Sequence, residues 1–229
     1  MEFLLNKISR EEIINGTILI VDKPYSWSSF DVVKKIRNTI ILNHKIKKIK
    51  VGHAGTLDPL ATGLLLICTG KMTKEISKLQ NQLKIYTGTF ILGSTTASFD
   101  QETEIDNYFN INHIDKNLIN KVLPNFIGDL NQTPPIYSAI KKEGKRLYEF
   151  AREGKKIEIN ARKVFVKKFE ITKIKLPEVN FLIECGKGTY IRSIANDFGK
   201  ALNSGAHLKN LRRIASGKYL IEDAVKFIS

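Results

Sequence analysis

The stretch VGHAGTLDPLATGLLLICTG, residues 51–70, carries one carboxylate, Asp58, which is the only acidic residue between Asp31 and Glu75. Lys45, Lys47, Lys48 and Lys50 lie before it, and Lys71 and Lys74 after it. Asp before Pro commonly opens a turn, and a turn alone would account for Asp58. A turn does not need an isolated acid in a basic and apolar neighbourhood, however. An aspartate that serves as nucleophile or base must stay ionised while partly desolvated. Burial opposes the charge, so a cationic partner has to offset that cost.

GKGTYIR (186–192) contains a candidate partner, with Tyr190 and Arg192 in the first turn of a helix. A guanidinium there could pair bidentately with a carboxylate, although most arginines are solvated surface residues. Spacing alone does not bring it to Asp58. His53 lies five residues before Asp58, and the four histidines are too scattered to form a metal site. Tyr86, near Lys84 on a β-type run, suits core packing and equally suits stacking on an extruded base. Segment 131–157 interleaves Tyr137 and Tyr148 with Lys141, Lys142, Lys145, Arg146 and Arg152. Cations that neutralise phosphates, beside rings that offer stacking faces, point to an RNA strand; an ordinary solvated loop and helix is the alternative. Walker, zinc-spacing, Ser-His-Asp and dinucleotide motifs are absent, so an enzyme of this sequence is expected to work without metal or cofactor.

These residues need elements to hold them. GTILIVDKP (16–24) reads as a buried strand ended by Pro24. SSFDVVKKIRNTIIL follows as a helix, with Ser28 and Asp31 spaced as a capping box and Val32, Val33, Ile36 and Ile40 on one face. Residues 43–50 form a basic connector, and GLLLICTG a short buried strand. LKIYTGTFILGS (83–94) is β-type, 95–112 is loop, and 114–126 is helical. RLYEFARE is a short helix, and strands follow at 163–176 and 179–188. TYIRSIANDFGKALNSG (189–205) is the clearest helix, with Ile191, Ile194, Phe198 and Leu202 facing one way and Gly205 as its stop. This order lacks regular β-α alternation, which argues for an α+β fold.

The chain has 229 residues and a formal charge of +14. That length suits one large domain, read here as a single catalytic domain over 1–229 with an RNA-contacting insertion at about 131–157. The charge favours a polyanion, nucleic acid before an anionic membrane. Lysine supplies 29 of the 37 basic residues, so biased composition is the competing explanation. Cys68 and Cys185 read as buried thiols of a cytosolic protein. No run is long enough to cross a bilayer, and MEFLLNKISREE lacks the pattern of an export signal; a cytoplasmic protein is expected.

GHAGTLDPLATGLL resembles the catalytic motif of the TruB-type tRNA pseudouridine synthases, which modify the T-loop uridine at tRNA position 55. INGTILIVDKP with its following SS, PPIYSAIKKEGKRLYEFAREG, GKGTYIRSIANDFG and GAHLKNLRRIASGKY resemble further blocks of that family, in the same order from about Ile14 to Tyr219. The resemblance implies Asp58 as the catalytic aspartate and Arg192 as its partner. It implies Tyr86 as the ring stacked on the uracil, with a part in proton transfer. Tyr190 and Leu211 would line the pocket and His53 would lie near the flipped nucleotide. Lys23 and Lys74 would support the site or bind RNA, with Tyr137, Lys141, Arg146 and Tyr148 in the RNA-contacting segment. The implied fold is the pseudouridine synthase fold: a central, largely antiparallel mixed sheet with flanking helices and RNA-binding insertions. The implied partner is the T-arm of tRNA, without metal, cofactor or membrane, bound by a monomer.

Two departures stand out. Ala97 occupies a position where the family pattern has Asp, which implies different loop geometry or RNA contact there. The chain also stops about ten residues after SGKY, leaving no room for the C-terminal PUA-type domain of many relatives. Two other readings remain open at this level: a guide-RNA-dependent, dyskerin-type catalytic subunit, and a non-catalytic tRNA-folding helper.

Overall fold

The computed structural model describes residues 8–155 and 157–226. The first seven residues of the MEFLLNKISREE reading, and Lys156 of the basic-aromatic segment, lie outside them. In chain order the elements are α1 (Arg10–Asn15), β1 (Ile18–Lys23), α2 (Ser29–His44), β2 (Val51–His53) and β3 (Ala61–Thr69). A 3-10 turn (Gly70–Glu75), α3 (Ile76–Gln80), β4 (Lys84–Leu92), β5 (Ser94–Thr96) and β6 (Ile105–Tyr108) follow. Next come α4 (Lys116–Val122), β7 (Gly128–Gln132), β8 (Lys141–Lys142), β9 (Lys145–Arg146) and α5 (Leu147–Arg152). The chain ends in β10 (Arg162–Lys175), β11 (Glu178–Cys185), α6 (Ile191–Ala201), β12 (Ala206–Ser216), β13 (Tyr219–Leu220) and β14 (Val225–Lys226). Helices flank mixed, mostly antiparallel sheet, so the architecture is α+β as expected.

Two compact units arise, residues 1–86 with 211–229, and residues 87–210. In the first unit β3 is central and buried along almost its whole length. It runs antiparallel to β1 and β2 and parallel to the second half of β12. Gly63 is the register point of this arrangement, opposite Lys23 on one side and Arg213 on the other. Its φ of +101° is open to glycine, and a Cβ there would sit 2.3 Å from the Arg213 carbonyl oxygen. The missing side chain is what lets β12 approach. Helix α2 starts at the expected capping box: Ser28 Oγ accepts from Asp31 N–H and Asp31 Oδ2 accepts from Ser28 N–H. Its Val32, Val33, Ile36 and Ile40 are buried, and it stops where Lys45 turns left-handed.

In the second unit the first half of β12 leads the order β12–β4–β11–β10–β7. Phe90, Phe126, Phe169, Phe181 and Phe198 form its aromatic core; the rings of Phe90 and Phe181 stack at 4.2 Å. Helix α6 buries Ile191, Ile194 and Phe198 as its spacing predicts. It ends at Ala201, before Gly205, because Asn203 adopts the left-handed conformation (φ 51°) that closes the helix. Gly205 is instead the seat of the Phe109 ring, 2.6 Å from where a Cβ would stand. Residues 95–112 are not all loop. Their β-branched threonines let β5 and β6 pair as a hairpin, tied by Thr95 Oγ1 donating to Asp106. Cys68 on β3 and Cys185 on β11 are both buried, and burial pushes the Cys68 thiol up to about 11. No helix among the described residues is long and apolar enough to cross a membrane.

Candidate active site

In the first unit the loop 54–60 carries Asp58 between β2 and β3, half-exposed. Nothing regular holds this loop, so its backbone is fixed point by point. Arg213, fully buried, donates from Nε to Leu64 C=O (2.6 Å) and from Nη2 to Gly55 C=O (3.1 Å). Ser29 Oγ accepts from Leu57 N–H (2.8 Å) and donates to Leu57 C=O (3.0 Å). Ala61 N–H donates to Asp58 C=O (3.0 Å), and Ser26 N–H to Pro59 C=O (2.9 Å). Gly55 takes φ +116°, a conformation in which other residues are strained.

Lys23 closes the arrangement from β1. It is 0% exposed, and its ammonium donates to the carbonyls of Pro24 (2.9 Å), Pro59 (3.3 Å) and Trp27, one acceptor for each proton. Burial pushes its pKa down to about 8; the Asp58 carboxylate pulls it back up, and the Arg213 guanidinium pushes further down. Desolvation outweighs the attraction, but three carbonyls and a nearby carboxylate give the charge a place to sit. His53 on β2 is held below its ordinary pKa, first by burial and then by Arg213, with the Gly55 backbone acting the other way. The imidazole is therefore neutral at pH 7, suited to polar contact and not to phosphate binding.

Tyr86 is half-buried on β4, two residues after Lys84, which is buried with its ammonium on the carbonyls of Gln80 and Gln82. Leu211 is buried on β12, opposite Ala61 in register. Lys74 stands exposed on the 3-10 turn. Arg212 reaches Asp22 with both nitrogens (3.0 and 2.7 Å), a bidentate pair that spans β3 from β12 to β1.

The second unit carries Arg192 and Tyr190 at the start of α6. Arg192 is 3% exposed, not a surface residue; it donates from Nη1 to Ser98 C=O (3.2 Å), and its Nε lies 3.5 Å from Asp100 Oδ2. Asp100 is equally buried and accepts Glu102 N–H on Oδ1 (3.0 Å). Its own carbonyl accepts from Thr96 Oγ1 (2.6 Å) and Ser98 Oγ (3.2 Å), so hydroxyls hold the 96–103 loop, and Ala97 faces solvent. Tyr190 N-caps α6 through its backbone alone. Gln132, at the end of β7, accepts its N–H on Oε1 (2.8 Å) and donates from Nε2 to its C=O (3.1 Å).

The basic-aromatic segment has defined local structure. Lys141 pairs with Arg146 in the β8–β9 hairpin. The guanidinium carbons of Arg146 and Arg152 lie 5.9 and 5.3 Å from the Tyr148 ring centroid, a cation-π grouping. Tyr137 is half-buried near its beginning.

A family model described as TruB family pseudouridylate synthase (N terminal domain) matches residues 41–191. The chain belongs to the TruB family. A TruB-family relative from Flavobacterium johnsoniae, tRNA pseudouridine synthase B, is 57% identical over 216 residues, 94% of each chain. The protein of the same name from Phocaeicola vulgatus is 49% identical over 92% of this chain and 89% of its own. Among solved structures, a chain of a Cbf5-Nop10-Gar1 complex superposes with a TM-score of 0.71 at 28% identity over 97% of this chain. A chain of an H/ACA RNP bound to a substrate RNA containing 2'-deoxyuridine gives 0.68 at 26%. This TruB-family chain spans little more than half of those two, 56% and 54%.

Sequence reasoning missed Asp100, Arg213, Ser29 and Gln132. Asp100 had a signal in the acidic turn FDQET, and Arg213 in the RR pair beside Leu211. Ser29 stood in the quoted SS without a role of its own, and Gln132, two residues before Pro134, gave no signal.

Proposed function

We propose that the protein converts uridine to pseudouridine in tRNA, at position 55 in the T-loop, without a guide RNA. The observation that carries this reading is the 57% identity, over 94% of both chains, to a protein named tRNA pseudouridine synthase B. The reaction breaks the N1–C1′ bond of the nucleoside, turns the uracil and forms a C5–C1′ bond; C5 gives up its proton and N1 gains one. The uridine must leave its stack first, at a cost of a few kcal/mol. Asp58 serves as the catalytic carboxylate and Arg192 as the catalytic guanidinium. Tyr86 stacks on the base and takes part in proton transfer, while Tyr190, Leu211 and His53 bound the uracil's space. Lys23 supports the Asp58 loop. Lys74 and the segment bearing Tyr137, Lys141, Arg146 and Tyr148 neutralise and stack on the T-arm. The protein acts as a monomeric, cytoplasmic catalytic domain.

The test uses an unmodified tRNA transcript tritiated at uracil C5. The purified protein is expected to release tritium with no other RNA present, and Asp58→Ala to release none while still binding tRNA. Binding without release by the wild type would favour a folding helper, and release only with an added guide RNA would favour a guide-dependent subunit.

A further inference from the structure

Two buried side chains, 103 positions apart in the chain, make the same unusual pair of bonds. Ser29, 2% exposed, holds both the N–H and the C=O of Leu57. Gln132, 4% exposed, holds both the N–H and the C=O of Tyr190. Neither bond pair is explained by helix capping. Ser28 already caps α2, so the Ser29 hydroxyl is not needed there. Gln132 belongs to a strand that ends before Thr133, and its amide reaches 58 residues along the chain.

We propose that Ser29 and Gln132 are positioning residues for the uridine isomerisation, each clasping the main chain from which a catalytic group projects. Asp58 directly follows Leu57, and Arg192 lies two residues after Tyr190. A single hydrogen bond lets a segment pivot about it. Two bonds to the N–H and C=O of one residue fix both peptide planes that flank it and the φ and ψ between them. In the first unit the clasp is one of a series, with Gly55, Asp58 and Pro59 carbonyls also taken. In the second unit it is joined by Ser193 Oγ donating to Thr133 C=O (2.8 Å), so the chain leaving β7 is bonded to the start of α6 at two successive residues, Gln132 and Thr133. A displacement of about 1 Å at a catalytic group costs on the order of a hundredfold in rate. The clasps therefore act mainly on the chemical step, while overall tRNA affinity is carried by the many phosphate contacts elsewhere.

This inference rests on the proposed isomerase activity. The experiment is single-turnover tritium release with saturating enzyme, beside tRNA affinity and thermal melting, for Ser29→Ala and Gln132→Glu. The glutamate keeps the acceptor for Tyr190 N–H and turns the donor into an oxygen facing its carbonyl. Each variant is expected to lose about 30-fold or more in rate, with tRNA Kd within about threefold of wild type. Ser29→Thr, which keeps the hydroxyl, is expected to retain at least about a third of the rate. A rate within about threefold of wild type in either variant, or a rate loss matched by an equal loss of affinity, removes that residue from the proposal. If either variant does not fold, Ser29→Cys or Gln132→Met is measured against the same limits. A wild type that releases no tritium overturns the isomerase reading itself; an active wild type with fully active variants overturns the clasps alone.

Discussion

Lys23 is a cation buried where burial is costly, and its behaviour with pH follows. Its folded pKa is about 8 against an ordinary 10.5. Between those values the unfolded chain holds a proton that the folded chain has released, so the contribution of Lys23 to stability rises with pH there and is lost as pH falls back. Below about 8 the residue is charged in both states and the dependence vanishes. Comparison with Lys23→Met isolates this effect from other titrating groups. In urea denaturation the stability difference between the two proteins is expected to stay constant from pH 6 to 7.5. It then shifts in favour of wild type by up to about 3 kcal/mol on going to pH 10.5, at about 1.4 kcal/mol per unit. A difference flat across that range would mean that the three carbonyls and Asp58 fully repay desolvation.

Among the elements, β3 governs how the Asp58 loop is held, and Gly63 governs β3. Gly63→Ala puts a methyl 2.3 Å from the Arg213 carbonyl at a φ of +101°, so β12 must move away and carry Arg213 with it. The variant is expected to lose at least about 3 kcal/mol of stability in urea. Gly186→Ala, whose Cβ finds its nearest neighbour at 3.5 Å, is expected to stay within about 0.5 kcal/mol of wild type. Equal stabilities for the two would show that the β3–β12 approach tolerates a side chain. Most elements of this kind were legible in the sequence. The capping box at Ser28 and Asp31, the apolar face of α6 and the run of β3 are local patterns, and local patterns survive folding. The β5–β6 hairpin was not legible, since its polar residues alternate nothing. Nor was the end of α6, where Asn203 does the work sequence reading gave to Gly205. Asp58 was visible by its isolation among cations. Of the groups that hold its loop, Lys23 was named through the family resemblance; the roles of Arg213 and Ser29 were not legible, because they act on backbone carbonyls and amides that any residue carries.

For the molecule as a whole, charge is unevenly spread. Between Asp31 and Asp58 there are seven basic residues and no acidic one. Lys34, Lys35, Lys47 and Lys48 are all exposed. On the proposed reading they neutralise tRNA phosphates, and reversing all four to Glu should lower affinity and flatten its salt dependence. Each phosphate left without its cation takes about 0.7–0.9 from the slope of log K against log salt. Filter binding from about 50 to 300 mM salt is expected to show a slope smaller by about 3, with turnover at saturating tRNA within about threefold of wild type. An unchanged slope would assign these lysines to solvation alone.

The two cysteine sulfurs have a practical consequence. Cys68 lies inside the first compact unit and Cys185 inside the second, each on a strand flanked by neighbours. An alkylating reagent can reach either atom only while its own strand is open, so the trapping rate at each reports that opening separately. The native chain thus carries an internal clock for each half of its architecture, readable by mass spectrometry without an engineered cysteine.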